Sequence, residues 1–531
     1  MTSLTFYGGV NEIGGNTILL RGEKTSILLD FGMSFSQVGK YYEEFLKPRT
    51  NNFLGDCLCM GLLPRIDGLY RDDLVEVEGV SSIIPPGCSA TDYWVCDVQS
   101  YKDCKECGEK TIDAVVITHA HLDHSQYITL VDKEIPIYSS AVTKELLCCM
   151  EEIGTGDLNS EFTNMKRVLS SETGSRGFFP GTSKLKKDNP TERKWKPFSG
   201  NEELKIGEFT IKTYPVDHSV PGSTAYLIED KNGKKIVYTG DFRFHGIQGE
   251  LTSKFEEEIK NEAPDILITE GTRIDEEIKD DEEKVFQDTL NRVKSTTGLV
   301  MVDFAWKDIT RYLTMKKVAE ASKKTLVISS KLAYVIHKLK KFANLNIKSV
   351  EKEDNVKVFF RRKYGMLYSE SDYVNTKYDL GYSTKWDRND RSTISEVHFK
   401  NGVRAYQIRE KPSQYMLQLA FYDLSELIDL KPPPGSVYIK ATSEPFDEEM
   451  KFDEKRLCNW FERFGLNAPE CKPIYINASG HAYGPEIKDF ISRVQPGIII
   501  PIHTKNPEEF EKSFANVVVP EKGVPIDINT L

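Results

Sequence analysis

Short apolar runs broken by glycine, proline and charged turns dominate the first half of the chain, and they predict strands rather than helices. Residues 4–7, 16–20 and 26–30 read as three such strands, the last two separated by the turn Arg21-Gly-Glu-Lys. Residues 34–110 keep no period. They carry Pro48, Pro64, Pro85 and Pro86 and read as a long excursion with some helix. Order returns with the apolar run at 114–118, a strand at 135–138 and a helix at 142–152. Strands follow at 209–216, 224–228 and 235–239, the last two joined by the hairpin turn Lys231-Asn-Gly-Lys.

The period changes near residue 251. Residues 251–262 look helical, 266–269 extended, 275–296 helical, 299–302 extended, 307–322 helical and 325–328 extended. Strands alternating with helices predict a parallel sheet. Residues 350–410 are charged and aromatic without a readable period. After the run Lys431-Pro-Pro-Pro-Gly435, the pattern gives a strand at 436–440, a helix at 453–464 and a strand at 474–477. A helix at 485–494 and the apolar strand 498–502 complete it. No internal repeat is visible.

A chain of 531 residues exceeds one ordinary core and predicts two or three domains. With 39% hydrophobic and 28% charged residues, the composition is that of a globular protein. No apolar run is long enough for a membrane span, and the first residues do not resemble a secretory signal, so a cytoplasmic location is expected. The net charge of −11 excludes a broadly basic surface. It leaves room for a local basic channel, because bound divalent cations offset acidic groups at a site. Ten cysteines in a reducing compartment are expected to be thiols. Cys88, Cys96, Cys104 and Cys107 cluster and include one C-x-x-C pair, which leaves a structural zinc site open beside the plainer reading of free thiols on a loop.

The most informative stretch is Thr118-His-Ala-His-Leu-Asp-His-Ser125. Three histidines and an aspartate follow directly on an apolar strand, and imidazole with carboxylate suits zinc or a similar divalent ion. His119 and His121 alternate and can face one side. Asp123 and His124 enter a turn and can reach a second ion. Further ligands must come from other strand ends. His218, Asp241 and His503 each follow a hydrophobic strand, as does His481 in its own segment. Each alone would be an ordinary loop residue; their common context is what marks them. His245, close to Asp241, is a candidate supporting group, whereas His337 and His398 read as structural or exposed.

These motifs resemble the metallo-β-lactamase superfamily, whose signature is H-x-H-x-D-H followed by distant His, Asp and His ligands. Asp30, ending Ser-Ile-Leu-Leu-Asp-Phe-Gly, resembles the aspartate that orients the site from beneath. Glu270 in Ile-Thr-Glu-Gly-Thr, His481 in Ala-Ser-Gly-His-Ala and His503 in Ile-His-Thr resemble the three later motifs of the β-CASP branch. Within that branch, the opening Gly8-Gly-Val-Asn-Glu-Ile-Gly-Gly-Asn16 and the Ala-Ser-Gly-His-Ala motif are similar to the ribonuclease J family. Thr504 stands where that family usually has glycine, and the cysteine-bearing insertion is unlike it.

The resemblance implies an α/β fold, a metallo-β-lactamase αββα sandwich interrupted by a β-CASP α/β domain. The expected limits are 1–250 and 435–531 for the sandwich and 251–434 for the insert. It implies two divalent ions, zinc or manganese, on His119, His121 and His218 and on Asp123, His124 and His503, with Asp241 shared. His481 would be the general acid, oriented by Glu270, and Asp123 counts among the catalytic groups as well as the ligands. Ser479 and Gly480 would cradle a phosphate, and Lys307 and Arg311, with Phe304, would face the substrate. The implied activity is hydrolysis of single-stranded RNA, 5′→3′ from a monophosphorylated end and with endonuclease action open, and the implied partners are RNA and a second copy of the chain. The alternatives are a thioester or lactone hydrolase of the same fold and a DNA-directed β-CASP nuclease. DNA-directed members of the Artemis type usually lack the third-motif histidine, so His503 favours RNA. A catalytically silent RNA-binding subunit is a further reading, opposed by the full ligand set.

Overall fold

In a computed structural model of the chain, residues 2–43, 45–75, 87, 97–154, 158–173, 180–184, 190–277, 280–362, 402–443 and 448–531 are described. Two mixed sheets face each other. The first has seven strands in the order Trp195–Phe198, Ile137–Ser140, Ala114–Val116, Ser26–Leu29, Thr17–Arg21, Ser3–Gly8 and Pro525–Asp527. The second has six: Glu203–Ile206, Phe209–Pro215, Thr224–Glu229, Lys235–Tyr238, Ile266–Glu270 and Ile498–Ile502.

The alternation of apolar positions decides which faces meet. Leu4, Phe6, Ile18, Leu20, Ile27 and Leu29 of the first sheet pack on Ile211, Ile228, Ile236, Ile268 and Ile500 of the second, all buried. The intervening residues point outward to helices. Val115 and Ile137 meet the helix Ala141–Ile153, and Val237, Leu267 and Ile499 meet the helices Gly249–Glu262 and Gly484–Val494. This is the αββα sandwich of the metallo-β-lactamase fold. Closing it joins the ends of the chain: the strand Pro525–Asp527 pairs with Ser3–Gly8, and Ile498–Ile502 pairs with Ile266–Glu270.

A third sheet of seven strands, all parallel, is inserted into this sandwich. Its order is Gly402–Arg404, Val356–Phe360, Thr325–Ile328, Tyr415–Gln418, Val300–Asp303, Val437–Lys440 and Ile474–Tyr475. Its central strands are apolar on both faces, as a parallel sheet covered by helices requires. Val300 and Val302 face one core while Met301 faces another, and Leu326 and Ile328 likewise oppose Val327. The first of these cores is continuous with the outer face of the first sheet, so the third sheet is packed against the sandwich rather than tethered to it. The helix Ser330–Leu339 lies on Ala141–Ile153 across that seam, where Lys338 pairs with Glu152 at 3.4 Å and Lys341 with Glu145 at 2.8 Å.

The expected limits of the insert, 251 and 434, fall at neither end of the third sheet. The helix Gly249–Glu262 and the strand Ile266–Glu270 serve the second sheet, while Val437–Lys440 and Ile474–Tyr475 lie in the third. Strand–helix alternation runs unbroken through both junctions, so periodicity does not reveal where the chain changes sheet. The helix expected at 275–296 begins only at Glu282, where the Asp281 side chain caps the Lys284 amide at 2.7 Å. Cys104 is buried and Cys107 exposed, both free thiols, and Cys88 and Cys96 lie outside the described residues, as does His398. Among the described residues, no helix is long and apolar enough to cross a membrane.

Candidate metal centre

The site lies at the carboxyl ends of strands from both sandwich sheets. Asp30 and His119 follow strands of the first sheet; His218, Asp241 and His503 follow strands of the second, and Glu270 ends one. The opening glycines make the close approach achievable. A Cβ on Gly32 would stand 1.6 Å from the Asp123 carbonyl oxygen, and one on Gly14, at φ +81°, would stand 2.9 Å from the Asp123 side chain. The strand-end loop can therefore lie flat on the ligand turn. Asn16, Phe31 and Met33 amides donate to the Asp123, His124 and Leu122 carbonyls at 2.8–3.0 Å, and the His503 amide donates to Gly9 O at 2.7 Å. Asp30 and His503 are held in the left-handed region, at φ +55° and +50°, a conformation L-residues avoid unless surroundings impose it.

The structure brings all seven expected ligands together. Ligand atoms of His119, His121, His218 and Asp241 lie within 4.8 Å of one another, and so do those of Asp123, His124 and His503. A third such group comprises Asp241, Glu270, His481 and His503, so Asp241 stands between the sets. Asp241 Oδ2 has five imidazole nitrogens around it: His124 at 3.2 Å, His119 at 3.6 Å, His218 at 3.7 Å, His481 at 3.8 Å and His503 at 3.9 Å.

These groups fit cations better than they fit one another. No amide or hydroxyl among the described residues donates to the buried Asp241 carboxylate, and its 3.2 Å approach to His124 Nε2 is not aligned as a hydrogen bond. A buried carboxylate left so is costly unless something positive satisfies it. His121 Nδ1 lies 3.0 Å from both His119 Nε2 and His218 Nε2, three basic nitrogens converging on one point. Burial, then the neighbouring His124, holds the His119 imidazole well below its usual pKa. Burial, then His121, does the same for His218, and His121 is pushed down to about 3 by burial and by Lys307. Neutral imidazoles with converging lone pairs are what a divalent ion requires. The centre is a divalent-metal site.

Three of these rings are aimed by their other nitrogen. His124 Nδ1 meets Asp30 Oδ2 at 2.8 Å, His119 Nδ1 meets Thr118 Oγ1 at 3.0 Å, and His218 Nδ1 meets the Gly480 carbonyl oxygen. Asp30 is wholly buried and accepts in addition from the Thr118 amide at 2.7 Å and the Tyr238 hydroxyl at 2.6 Å. Such partners fix ring orientation and tautomer. Thr118 and Thr272, whose hydroxyl lies 2.8 Å from His503 Nδ1, sit inside the quoted motifs and Tyr238 beside one, but nothing in the sequence marks their hydroxyls as partners of the ligands.

His481 differs from the ligands. Its Nδ1 lies 2.8 Å from Glu270 Oε2, while Glu270 Oε1 accepts from the Phe242 amide at 2.9 Å. The His481 side chain is 22% exposed, against 0–1% for His119, His124, His218 and His503, and only Asp123, at 18%, and the half-buried His121 approach it among the ligands. Burial pushes its pKa down, but Glu270 and Asp241 hold it up at about 9. A pKa so raised favours the imidazolium at neutral pH, in a partly exposed ring beside the converging nitrogens.

Two expected substrate contacts are corrected. Arg311 is 1% exposed and faces inward: its guanidinium donates to Glu282 at 2.9 Å, Asn477 at 2.9 Å, Ala441 O at 3.0 Å and Ala478 O at 3.2 Å. Phe304, 1% exposed, is core. Nearness to the strand Val300–Asp303 marked both, but Arg311 lies in the first turn of the helix Ile309–Ala321, and the partner that draws it inward, Glu282, is 29 positions away in sequence. Ser479 and Gly480 lie beside the site with their carbonyls already engaged. Ser479 O accepts from Arg243 at 2.9 Å and pairs with His245 Nε2 at 3.0 Å, and Ser479 Oγ accepts from the His481 amide at 3.0 Å. His245, held also by Glu486 at 2.9 Å, thus supports the loop that carries His481. Lys307 is close enough to Asp123 and His121 to act on both electrostatically; burial draws its pKa down and Asp123 opposes that.

Residues 470–515 match the family described as the Zn-dependent metallo-hydrolase RNA specificity domain. A ribonuclease J of Mycoplasma genitalium is 20% identical over 94% of this chain and 68% of its own length. A probable RNase MJ4 of Methanocaldococcus jannaschii is 25% identical over 31% of this chain and 34% of its own. An Integrator complex subunit 11 homolog of Dictyostelium discoideum is 28% identical over 31% and 20%. The chain thus spans between a fifth and about a third of the length of these last two relatives. Among solved structures, a protein of unknown function from Enterococcus faecalis V583 shares the fold over 99% of both chains, with a TM-score of 0.65 and 21% identity. In its motifs, its fold and the relatives it matches, the chain resembles ribonuclease J of the β-CASP branch of the metallo-β-lactamase superfamily.

Proposed function

We propose that the chain is a metal-dependent ribonuclease that hydrolyses phosphodiester bonds of single-stranded RNA, 5′→3′ from a monophosphorylated end. The observation that carries the reading is the His481–Glu270 pair standing beside Asp241, 2.8 Å within the pair and 3.8 Å from it. A bare metallohydrolase centre needs ligands alone. Here a charged imidazole, held by a buried carboxylate, is added at its open side.

The ligands would divide as His119, His121 and His218 for one ion and Asp123, His124 and His503 for the other, with Asp241 common to both; zinc suits this histidine-rich set best. When bound, two divalent ions supply an activated water at neutral pH and offset charge on a scissile phosphate. His481 then has one task, to give its Nε2 proton to the leaving oxygen, while Glu270 keeps the ring turned and charged. Lys307, on the Asp123 side, would pair with a phosphate oxygen of the substrate. The Ser479–Gly480 backbone would carry the 5′-phosphate on its amides, since its carbonyls are committed to His218, His245 and Arg243. The insert, proposed to run from about 272, just past the strand Ile266–Glu270 of the second sheet, to about 476, just past the last strand of its own, would form one wall of the substrate channel.

The test incubates the purified chain with 5′-phosphorylated, 3′-labelled single-stranded RNA and Zn²⁺ or Mn²⁺. Progressive loss of 5′ nucleotides as monophosphates is expected. Internal fragments would reassign the mode to endonuclease. No cleavage of RNA alongside brisk thioester turnover would reject the reading.

A further inference from the structure

Two buried carboxylates in this site have matching surroundings, each touching one imidazole directly and a second through a threonine hydroxyl. Asp30 Oδ2 meets His124 Nδ1 at 2.8 Å and Thr118 Oγ1 at 2.9 Å, and Thr118 Oγ1 lies 3.0 Å from His119 Nδ1. Glu270 Oε2 meets His481 Nδ1 at 2.8 Å and Thr272 Oγ1 at 2.7 Å, and Thr272 Oγ1 lies 2.8 Å from His503 Nδ1. The function proposed above uses Glu270 and the four histidines and leaves Thr272 without a role.

Counting protons gives it one. A threonine hydroxyl has one proton to donate and two lone pairs to offer, and an ionised carboxylate can only accept. The 2.7 Å contact with Glu270 therefore requires the Thr272 proton. Having given it, the Thr272 oxygen can only accept from His503, so the His503 proton must sit on Nδ1. His503 Nε2 then faces Asp123 Oδ2 at 3.3 Å and Asp241 Oδ2 at 3.9 Å, and with Nδ1 holding its proton it is the nitrogen that gives up its own to offer a lone pair when a cation enters between these carboxylates. The reverse arrangement, with Thr272 donating to His503, would press two acceptors together at 2.7 Å. The His503 carbonyl at 3.2 Å is a weaker claimant for the same proton.

We propose that Thr272 is a positioning residue that sets the tautomer and ring plane of His503, so that Glu270 orients a metal ligand and the proton donor His481 at once. Thr118 performs the same service for His119 on the opposite side. The inference rests on the ligand assignment proposed above and not on the identity of the substrate.

Two measurements test it without RNA. In zinc-loaded protein with isotope-labelled histidine nitrogens, NMR should show His503 protonated on Nδ1. Titration calorimetry of metal-free protein with Zn²⁺ should find two equivalents in the wild type. In Thr272→Val, the affinity of the second should fall by about 10–100-fold while the first is unchanged. Thr272→Ser should recover it to within about threefold. Should Thr272→Val fail to fold by circular dichroism, Thr272→Ala removes the hydroxyl with less apolar bulk and is read the same way. A proton on Nε2 of His503 overturns the relay. So do unchanged affinity for both ions in Thr272→Val or Thr272→Ala and an equal loss of both. A wild type that binds a single equivalent sinks the ligand assignment and the relay with it, whereas inactivity toward RNA with the relay intact rejects only the ribonuclease reading.

Discussion

The half of the site around Asp30 and the half around Glu270 are built alike but face different surroundings. On the Asp30 side every member is sealed: Asp30, Thr118, His119 and His124 are all 0% exposed, and the Tyr238 hydroxyl closes the remaining position. On the Glu270 side the carboxylate is equally buried, at 1%, but the imidazole it touches is 22% exposed. A sealed imidazole with a free inward nitrogen can only be a ligand or a packed group. A half-open one, kept charged by a buried carboxylate, can also meet something that arrives from solvent. The same local device thus supports metal binding on one side and proton donation on the other, and what separates the two is access.

The largest effect should come from the group both halves share. Asp241→Asn removes the charge that five imidazoles surround and is expected to abolish binding of both ions, with kcat/KM for RNA falling about a thousandfold or more, as when a unit of interdependent catalytic groups is broken. Emission spectroscopy for bound metal alongside single-turnover cleavage checks this. A variant that keeps two ions and turns over normally would show that Asp241 does not link the halves.

The next pair of variants sets one half directly against the other. His481→Ala should retain both ions while turnover falls about 10²–10⁴-fold, the usual contribution of a positioned acid. Asp30→Asn should do the opposite in kind. It disturbs the partners of His124 and His119 and is expected to weaken metal binding about 10–100-fold, with activity restored at saturating metal. If His481→Ala lost metal, or if excess Zn²⁺ failed to rescue Asp30→Asn, the division between a binding half and a proton-donating half would be wrong.

How much of this contrast could be read from the sequence follows from where each interaction lies along the chain. His119, His121, Asp123 and His124 declare themselves because four ligands crowd into six positions beside an apolar strand. His218, Asp241 and His503 were legible because each follows a hydrophobic run, and a sheet gathers its strand ends at one rim. Thr272 and Tyr238 were not, since a hydroxyl two residues past a strand, or at the end of one, looks the same whether it faces a histidine or water. Arg311 misled for a related reason: its place shortly after a strand is local, but the Glu282, Ala441, Asn477 and Ala478 groups that draw it inward come from distant segments. In the fold, the edge strand Trp195–Phe198 escaped notice because Pro197 and two exposed positions hide its alternation. The strand Tyr415–Gln418 lies between Val300–Asp303 and Thr325–Ile328, a placement set by tertiary packing and not by sequence order.

The smallest expected effect, and the most direct measure of how Glu270 treats its imidazole, is a dependence of stability on pH in the metal-free protein. His481 has a folded-state pKa of about 9, against 6.5 for an unperturbed imidazole, because Glu270 and Asp241 overcome the effect of burial. A basic group with a raised pKa binds its proton more tightly when folded. Its contribution to stability is complete below pH 6.5 and is lost as pH rises through about 9. The melting temperature of metal-free wild type should therefore exceed that of His481→Ala by its largest margin near pH 6, and the margin should shrink by a few degrees as pH rises to about 9.5. Comparing the two proteins at each pH cancels the titration of His124, whose pKa is also raised by Asp241 and Asp30 against burial and which both proteins retain. A margin constant across this range would mean that His481 is not held charged by Glu270, and that the open half of the site has no proton ready to give.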